Sequence, residues 1–121
     1  MRGESEFVVG GYTPPQGSRA ELGALLVGLY YRGKLRYTGK VGTGYTQETL
    51  RDLGAKLKRL RTDSSPFDPP PPIREALWVK PRLVAQIAYA EWTADGKLRQ
   101  PAFLGIRTDK KPEECTWARR E

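Results

Sequence analysis

The chain reads as a mainly β domain: a small Greek-key barrel of five strands, with one α-helix between the third and fourth. Three observations predict it. Five β-rich or alternating segments recur along the 121 residues. One segment among them carries apolar residues at helical spacing, and glycine and proline signals punctuate the sequence between elements. The length suffices for one hydrophobic core and not for two.

Each element has its own signature. Residues 7–12 (Phe-Val-Val-Gly-Gly-Tyr) form a short first strand, stopped by the loop Thr13-Pro14-Pro15-Gln16-Gly17-Ser18. Residues 24–31 are apolar enough for a well-buried second strand, in which Gly28 marks a bulge or bend. Arg32-Gly33 suits a tight hairpin, and Leu35, Tyr37 and Val41 alternate along the return strand. In the helix, Thr46 is the expected N-cap and Glu48 suits the first turn. Leu50, Leu53, Leu57 and Leu60 make one apolar face, and Lys56, Lys58, Arg59 and Arg61 complement the dipole at the far end. Gly54 weakens a helix interior by about 1 kcal/mol relative to Ala, so a packing reason is expected there.

Next come Ser64-Ser65-Pro66-Phe67-Asp68 and four consecutive prolines, 69–72. Such a segment favours polyproline II and reads as a rigid crossover, or alternatively as a ligand for proline-reading modules. Leu83, Ala85, Ile87 and Tyr89 alternate in a fourth strand that ends near Trp92. Asp95-Gly96 makes a turn, and the last strand passes through Phe103, Leu104 and Ile106, with Pro101 at an edge or bulge. The expected boundaries are residues 1–6 as linker or vector-derived residues, 7–110 as the domain with its crossover at 64–73, and 111–121 as a C-terminal tail.

Composition excludes several chemistries. The sequence contains no histidine, which removes imidazole bases, Ser-His-Asp and Cys-His triads and the usual zinc sites. Cys115 is the one cysteine, so no internal disulfide can form, as fits a reducing compartment. No apolar run approaches the roughly 20 residues of a spanning helix, and the charged N-terminus is unlike a secretory signal. Neither a metal site nor a membrane is expected.

The net charge of +7 is concentrated in one region. Residues 32–61 carry nine basic groups against Glu48 and Asp52, whereas the other ninety-one residues balance twelve basic against twelve acidic groups. A strand, turn and helix of one sign point to a polyanion such as a nucleic-acid backbone. A solvated helix face would explain the helical part alone. Tyr30, Tyr31, Tyr37 and Tyr45 lie amid this stretch; some could stack on bases, and at least two suit ordinary barrel packing. Lys34, Arg36, Lys40 and Thr43, flanking the hairpin and a glycine-rich turn, are the first candidates for DNA contact. Lys56, Lys58 and Arg59 come second.

One further pattern concerns chemistry. The last strand runs into Arg107-x-Asp109-Lys110, which offers phosphate oxygens a planar donor fork, a point charge and an orienting carboxylate. Taken alone, a charged strand end often does no more than emerge into water.

Five strands with a helix after the third is the order of the OB-fold, common among nucleic-acid binders. Within that frame five segments, in order, resemble one family. They are Phe7-Val8-Val9-Gly10-Gly11-Tyr12-Thr13, Gly39-Lys40-Val41-Gly42-Thr43-Gly44, Trp78-Val79-Lys80-Pro81, Glu91-Trp92-Thr93, and the run from Phe103 to Lys110. The family is the C-terminal OB domain of ATP-dependent DNA ligases, and the resemblance is nearest to the bacterial D-type ligases of non-homologous end joining.

The resemblance implies a divided active site. An adenylation domain carries a nucleophilic lysine in Lys-x-Asp-Gly-x-Arg, and ATP and Mg2+ are bound mainly there. The OB domain supplies the last ligase motif, matched by Arg107, Asp109 and Lys110, which faces the β- and γ-phosphates. After adenylylation the domain swings, and another face helps encircle nicked or broken duplex DNA. The lysine motif is absent from this sequence. The chain alone is therefore expected neither to ligate nor to bind ATP tightly. It is expected to be a monomer acting in the bacterial cytosol, with an adenylation domain in cis. Two other readings stay open: a free-standing nucleic-acid-binding OB module without catalysis, and a protein-interaction domain built on the proline run.

Overall fold

The computed structural model describes residues 3–17 and 21–117. Met1, Arg2, the loop residue Ser18 and residues 118–121 of the expected tail lie outside the described residues. Five antiparallel strands form one sheet: β1 (Gly3–Tyr12), β2 (Leu25–Tyr31), β3 (Lys34–Val41), β4 (Leu77–Tyr89) and, after a two-residue hairpin of β5 (Glu91–Trp92) and β6 (Leu98–Arg99), β7 (Ala102–Arg107). Their spatial order is β3-β2-β1-β4-β7, so β1 is central. The expected mainly β class and the single helix α1 (Gln47–Arg59), between the third and fourth strands, are both present.

The sheet is not closed by a ladder. Its edges β3 and β7 come together beyond the end of β3, where the Phe103 N–H donates to the Thr43 carbonyl at 2.9 Å. Three bulges curve the sheet toward that meeting, placing Gly10, Thr38 and Leu104 as extra residues on β1, β3 and β7. The expected irregularity at Gly28 is the partner side of the second bulge, and the Thr38 hydroxyl donates to the Val27 carbonyl at 3.2 Å.

The crossover explains two glycines. Phe67, 2% exposed, projects onto β1 and β2. A Cβ at Gly10 would lie 2.4 Å from Phe67 Cζ, and one at Gly28 would lie 2.8 Å from Phe67 Cε1 as well as against the Arg36 carbonyl. Backbone pairing fixes this plug, since the Asp68 N–H donates to the Leu35 carbonyl at 2.9 Å. The proline segment is thus an internal crossover whose first residues complete the core.

The helix forms as its sequence dictates. Thr46 Oγ1 accepts from the Thr49 N–H at 3.0 Å. Leu50, Leu53 and Leu57 are buried, each contributing about 2 kcal/mol through apolar burial. Gly54 is buried as well, and a Cβ there would stand 3.1 Å from the Glu21 Cβ, a tight approach that favours glycine. Arg32 and Gly33 both take positive φ (53° and 81°), the turn geometry that matches strand twist in a two-residue hairpin.

Three extents differ from the sequence reading. β1 starts at Gly3, so residues 3–6 are strand and not linker: they pair with Tyr89, Ala88, Ile87 and Gln86 at the far end of β4. β4 begins at Leu77, with Pro81 inside it. The β1–β4 ladder skips from Leu83 to Trp78, and Pro81 falls in that gap, where its missing N–H costs no bond. There the strand turns to the helix exit instead, with Lys80 N–H donating to the Leu60 carbonyl at 2.8 Å. Finally, residues 111–117, the described part of the expected C-terminal tail, run back against β2. Tyr30 N–H donates to the Cys115 carbonyl (2.8 Å), Trp117 N–H donates to the Tyr30 carbonyl (2.9 Å), and Cys115 is buried.

Candidate active-site edge and nucleic-acid interface

β7 ends on Arg107, and the three motif residues cluster there. Arg107 Nε and Nη2 donate to the two Asp109 oxygens at 2.9 and 3.0 Å, a side-on pair closed within three residues. Strand register supplies two more partners. Gln86 lies opposite Glu6 on one side and Gly105 on the other, which puts Gln86 on a diagonal from Arg107. Arg107 Nη1 therefore reaches Gln86 Oε1 at 2.6 Å and Glu6 Oε2 at 3.1 Å. Lys110 Nζ stands 3.5 Å from Glu6 Oε1, and Glu4 accepts from Gln86 Nε2 at 3.0 Å.

These contacts set the electrostatics. Hydrogen bonding from Arg107 holds the Asp109 carboxyl below its ordinary range, and the same bond raises the Arg107 guanidinium further. Both stay ionised across the physiological range. The edge is an ordered array of two cations and two carboxylates, with Arg107 about one-third exposed. Beneath it sits Cys115, whose thiol burial pushes up to about 11, so it stays protonated at neutral pH and offers no nucleophile.

The expected DNA-facing residues separate into three groups. Lys34 pairs with Asp68 at 3.4 Å, both well exposed, and Arg36 Nη1 donates to the Asp68 carbonyl at 2.9 Å. Asp68 thus gathers these two cations at the crossover. Lys40 and Thr43 lie exposed at and beyond the end of β3, where the Thr43 carbonyl also holds Phe103. Lys56, Lys58 and Arg59 occupy the last turn of α1, with Lys58 and Arg59 exposed and Lys56 half-buried. Among the described residues none of these three, nor Lys40, is drawn into an ion pair.

The tyrosines divide as well. Tyr45 stacks on Phe103 (4.9 Å, 25°) and donates to the Val41 carbonyl at 2.6 Å, while Tyr37 meets Phe67 edge-on at 5.5 Å. These two are barrel packing. Tyr31, half-buried with the Arg32 guanidinium 5.2 Å from its ring centre, lines a cleft of about 700 Å³ with Arg36, Tyr37, Trp92 and prolines 69–72.

Sequence reasoning missed Glu6, Gln86, Asp68 and Lys97. Lys97 stands 6.0 Å from the Tyr37 ring centre. All four make contacts more than thirty residues away in sequence, and Glu6 fell within the supposed linker. Only strand register could have revealed it.

The curved five-stranded sheet, its helix and the ordered Arg-Asp-Lys edge together define an OB-type domain that carries that edge at the end of its last strand. Residues 18–110 match the family model described as the ATP dependent DNA ligase C terminal region, and the chain belongs to that family. It is 46% identical over 113 residues to the multifunctional non-homologous end joining protein LigD of Mycobacterium bovis, covering 90% of this chain and 15% of that protein. It is 44% identical over 120 residues to LigD of Pseudomonas aeruginosa, covering 94% and 14%. The crystal structure of the ligase domain of Mycobacterium tuberculosis LigD superposes with a TM-score of 0.88 at 43% identity, over 95% of this chain and 38% of that one. A mycobacterial DNA ligase D complexed with ATP and MES gives 0.82 at 41%, over 94% and 37%. The chain thus spans about one-seventh of these curated relatives and little more than a third of the solved ligase chains.

Proposed function

We propose that this chain is the OB half of an ATP-dependent DNA ligase active site, working with an adenylation domain in cis on nicked or broken duplex DNA. The observation that carries the reading is the Arg107–Asp109–Lys110 cluster, ordered at a strand end within a family of ligase C-terminal regions.

In this reading the lysine amine of the adenylation domain attacks the α-phosphorus of ATP. The phosphoanhydride bond breaks, pyrophosphate departs, and a lysine–AMP bond remains. Arg107 and Lys110 face the β- and γ-phosphates and stabilise the charge that builds on the leaving pyrophosphate, with Asp109 orienting the guanidinium. Mg2+ is held with the nucleotide, mainly by the adenylation domain. The basic groups of β3, the glycine-rich turn and α1 then bind DNA backbone as the domain swings away. The chain acts as a monomer in the bacterial cytosol.

The test joins this chain to the family's adenylation domain and measures enzyme–AMP formation. Arg107→Ala and Asp109→Ala are each expected to slow that step by about 10²-fold. Unchanged rates in both would remove the assignment. A free-standing binding module, by contrast, would bind duplex DNA with steep salt dependence while these variants changed nothing in adenylylation.

A further inference from the structure

Every nitrogen of the Arg107 guanidinium is already engaged. Nε and Nη2 belong to Asp109, and Nη1 serves both Gln86 and Glu6. The Glu6 carboxylate is shared in its turn: Oε2 lies 3.1 Å from Arg107 Nη1, and Oε1 lies 3.5 Å from Lys110 Nζ. One group therefore spreads its two oxygens across the two cations of the edge, as a phosphate spreads two non-bridging oxygens. The Glu6 side chain is 23% exposed and those of its partners about one-third, so water and solutes reach the cluster. Ion pairs this accessible add little to stability, and Asp109 alone suffices to hold the guanidinium plane.

We propose that Glu6 is an internal stand-in for phosphate, a carboxylate latch that occupies Arg107 and Lys110 until a polyphosphate displaces it. The inference rests on the reading of this edge as phosphate-facing. With Glu6 in place the two cations and two carboxylates cancel. A ligand takes over only by offering both cations more charge than one carboxylate, which the β- and γ-phosphates of a nucleoside triphosphate do. Gln86, tied to Glu4, keeps Arg107 Nη1 aimed during the exchange, since its amide oxygen stays when Glu6 leaves. Glu6 is thus a positioning residue, tuning when the edge becomes available.

The test titrates the full chain with inorganic tripolyphosphate and follows side-chain NMR signals. Glu6→Gln keeps the shape and removes the charge, and is expected to tighten binding by about threefold or more at low salt. Glu114→Gln removes a neighbouring charge that contacts neither Arg107 nor Lys110, because Glu114 accepts from the Lys111 N–H. It is expected to change affinity less than about 1.5-fold. Equal gains in the two variants would mean charge at a distance and overturn the latch. In the unmodified chain, the Glu6 carboxyl and Arg107 Nε signals should shift with one midpoint. A Glu6 signal that stays still overturns the proposal whether or not the variants fold. If Arg107→Ala leaves tripolyphosphate affinity unchanged, the phosphate-facing reading itself fails. If it weakens binding while Glu6→Gln tightens nothing, the latch alone fails.

Discussion

Phe67 occupies the space that a side chain at Gly10 would need: its ring Cζ lies 2.4 Å from where that Cβ would stand. The pair joins the proline-rich crossover to the central strand, and it makes the crossover part of the core. Phe67→Ala is expected to destabilise the domain by about 3–5 kcal/mol, because the ring is 2% exposed and packs against the Tyr37 and Trp78 rings. Gly10→Ala should be severe too, since the ring has little room to withdraw. Urea unfolding followed by tryptophan fluorescence measures both. A loss below about 1 kcal/mol for Phe67→Ala would show that the crossover only drapes over the barrel.

Arg107→Lys keeps the charge and loses the side-on pair with Asp109, in which Nε and Nη2 each take one oxygen. In the chain joined to its adenylation domain, this variant should form enzyme–AMP nearly as slowly as Arg107→Ala, within about tenfold. Full rescue by lysine would show that charge alone is needed and that the planar fork is incidental.

Lys34 and Arg36 stand together beside Asp68 at the crossover. If both reach DNA phosphates, replacing both with Ala should reduce the slope of log affinity against log salt by about 2. Asp68→Asn, which releases Lys34, should strengthen binding slightly. Fluorescence anisotropy with a nicked duplex over a salt series reads the slope. An unchanged slope moves the DNA surface to the α1 group, Lys56, Lys58 and Arg59.

The Cys115 thiol should be silent toward thiol reagents in the native domain at pH 8 and reactive after unfolding, since it is 3% exposed with a pKa pushed to about 11. The linkage has a defined sign. The folded value lies above the unfolded value of 9.0, so the neutral thiol's stabilisation is fully present below pH 9 and is lost as pH rises toward 11. Cys115→Ala should flatten that alkaline loss in thermal melts. An equal fall in the variant would assign it to other groups.

Much of the architecture was legible because its determinants are local. Thr46, Glu48 and the leucine spacing specify α1 within one stretch of chain, and Arg32-Gly33 specifies its hairpin by turn geometry alone. What escaped was set by pairing between distant segments. Residues 3–6 are polar and look like a linker, yet the length of β4 gives their backbone a partner. The alternation from Leu83 to Tyr89 does not disclose that β4 starts at Leu77, and the break in the β1 ladder shows why Pro81 is tolerated inside it. The edge follows the same rule. Arg107 and Asp109 are neighbours in sequence and could be read together, whereas Glu6 is 101 residues from Arg107 and meets it only across three strands.

The meeting of Phe103 with Thr43 bears on how the domain breathes. A barrel whose two rims share one backbone hydrogen bond among the described residues has a seam, and a seam opens at lower free energy than the sheet it borders. The amide proton of Phe103 should therefore trade with deuterated solvent well before those of Val8 and Val27 in the interior strands. The same strand β7 ends on Arg107, so early exchange at Phe103 would time a loosening of the strand on which the motif is mounted.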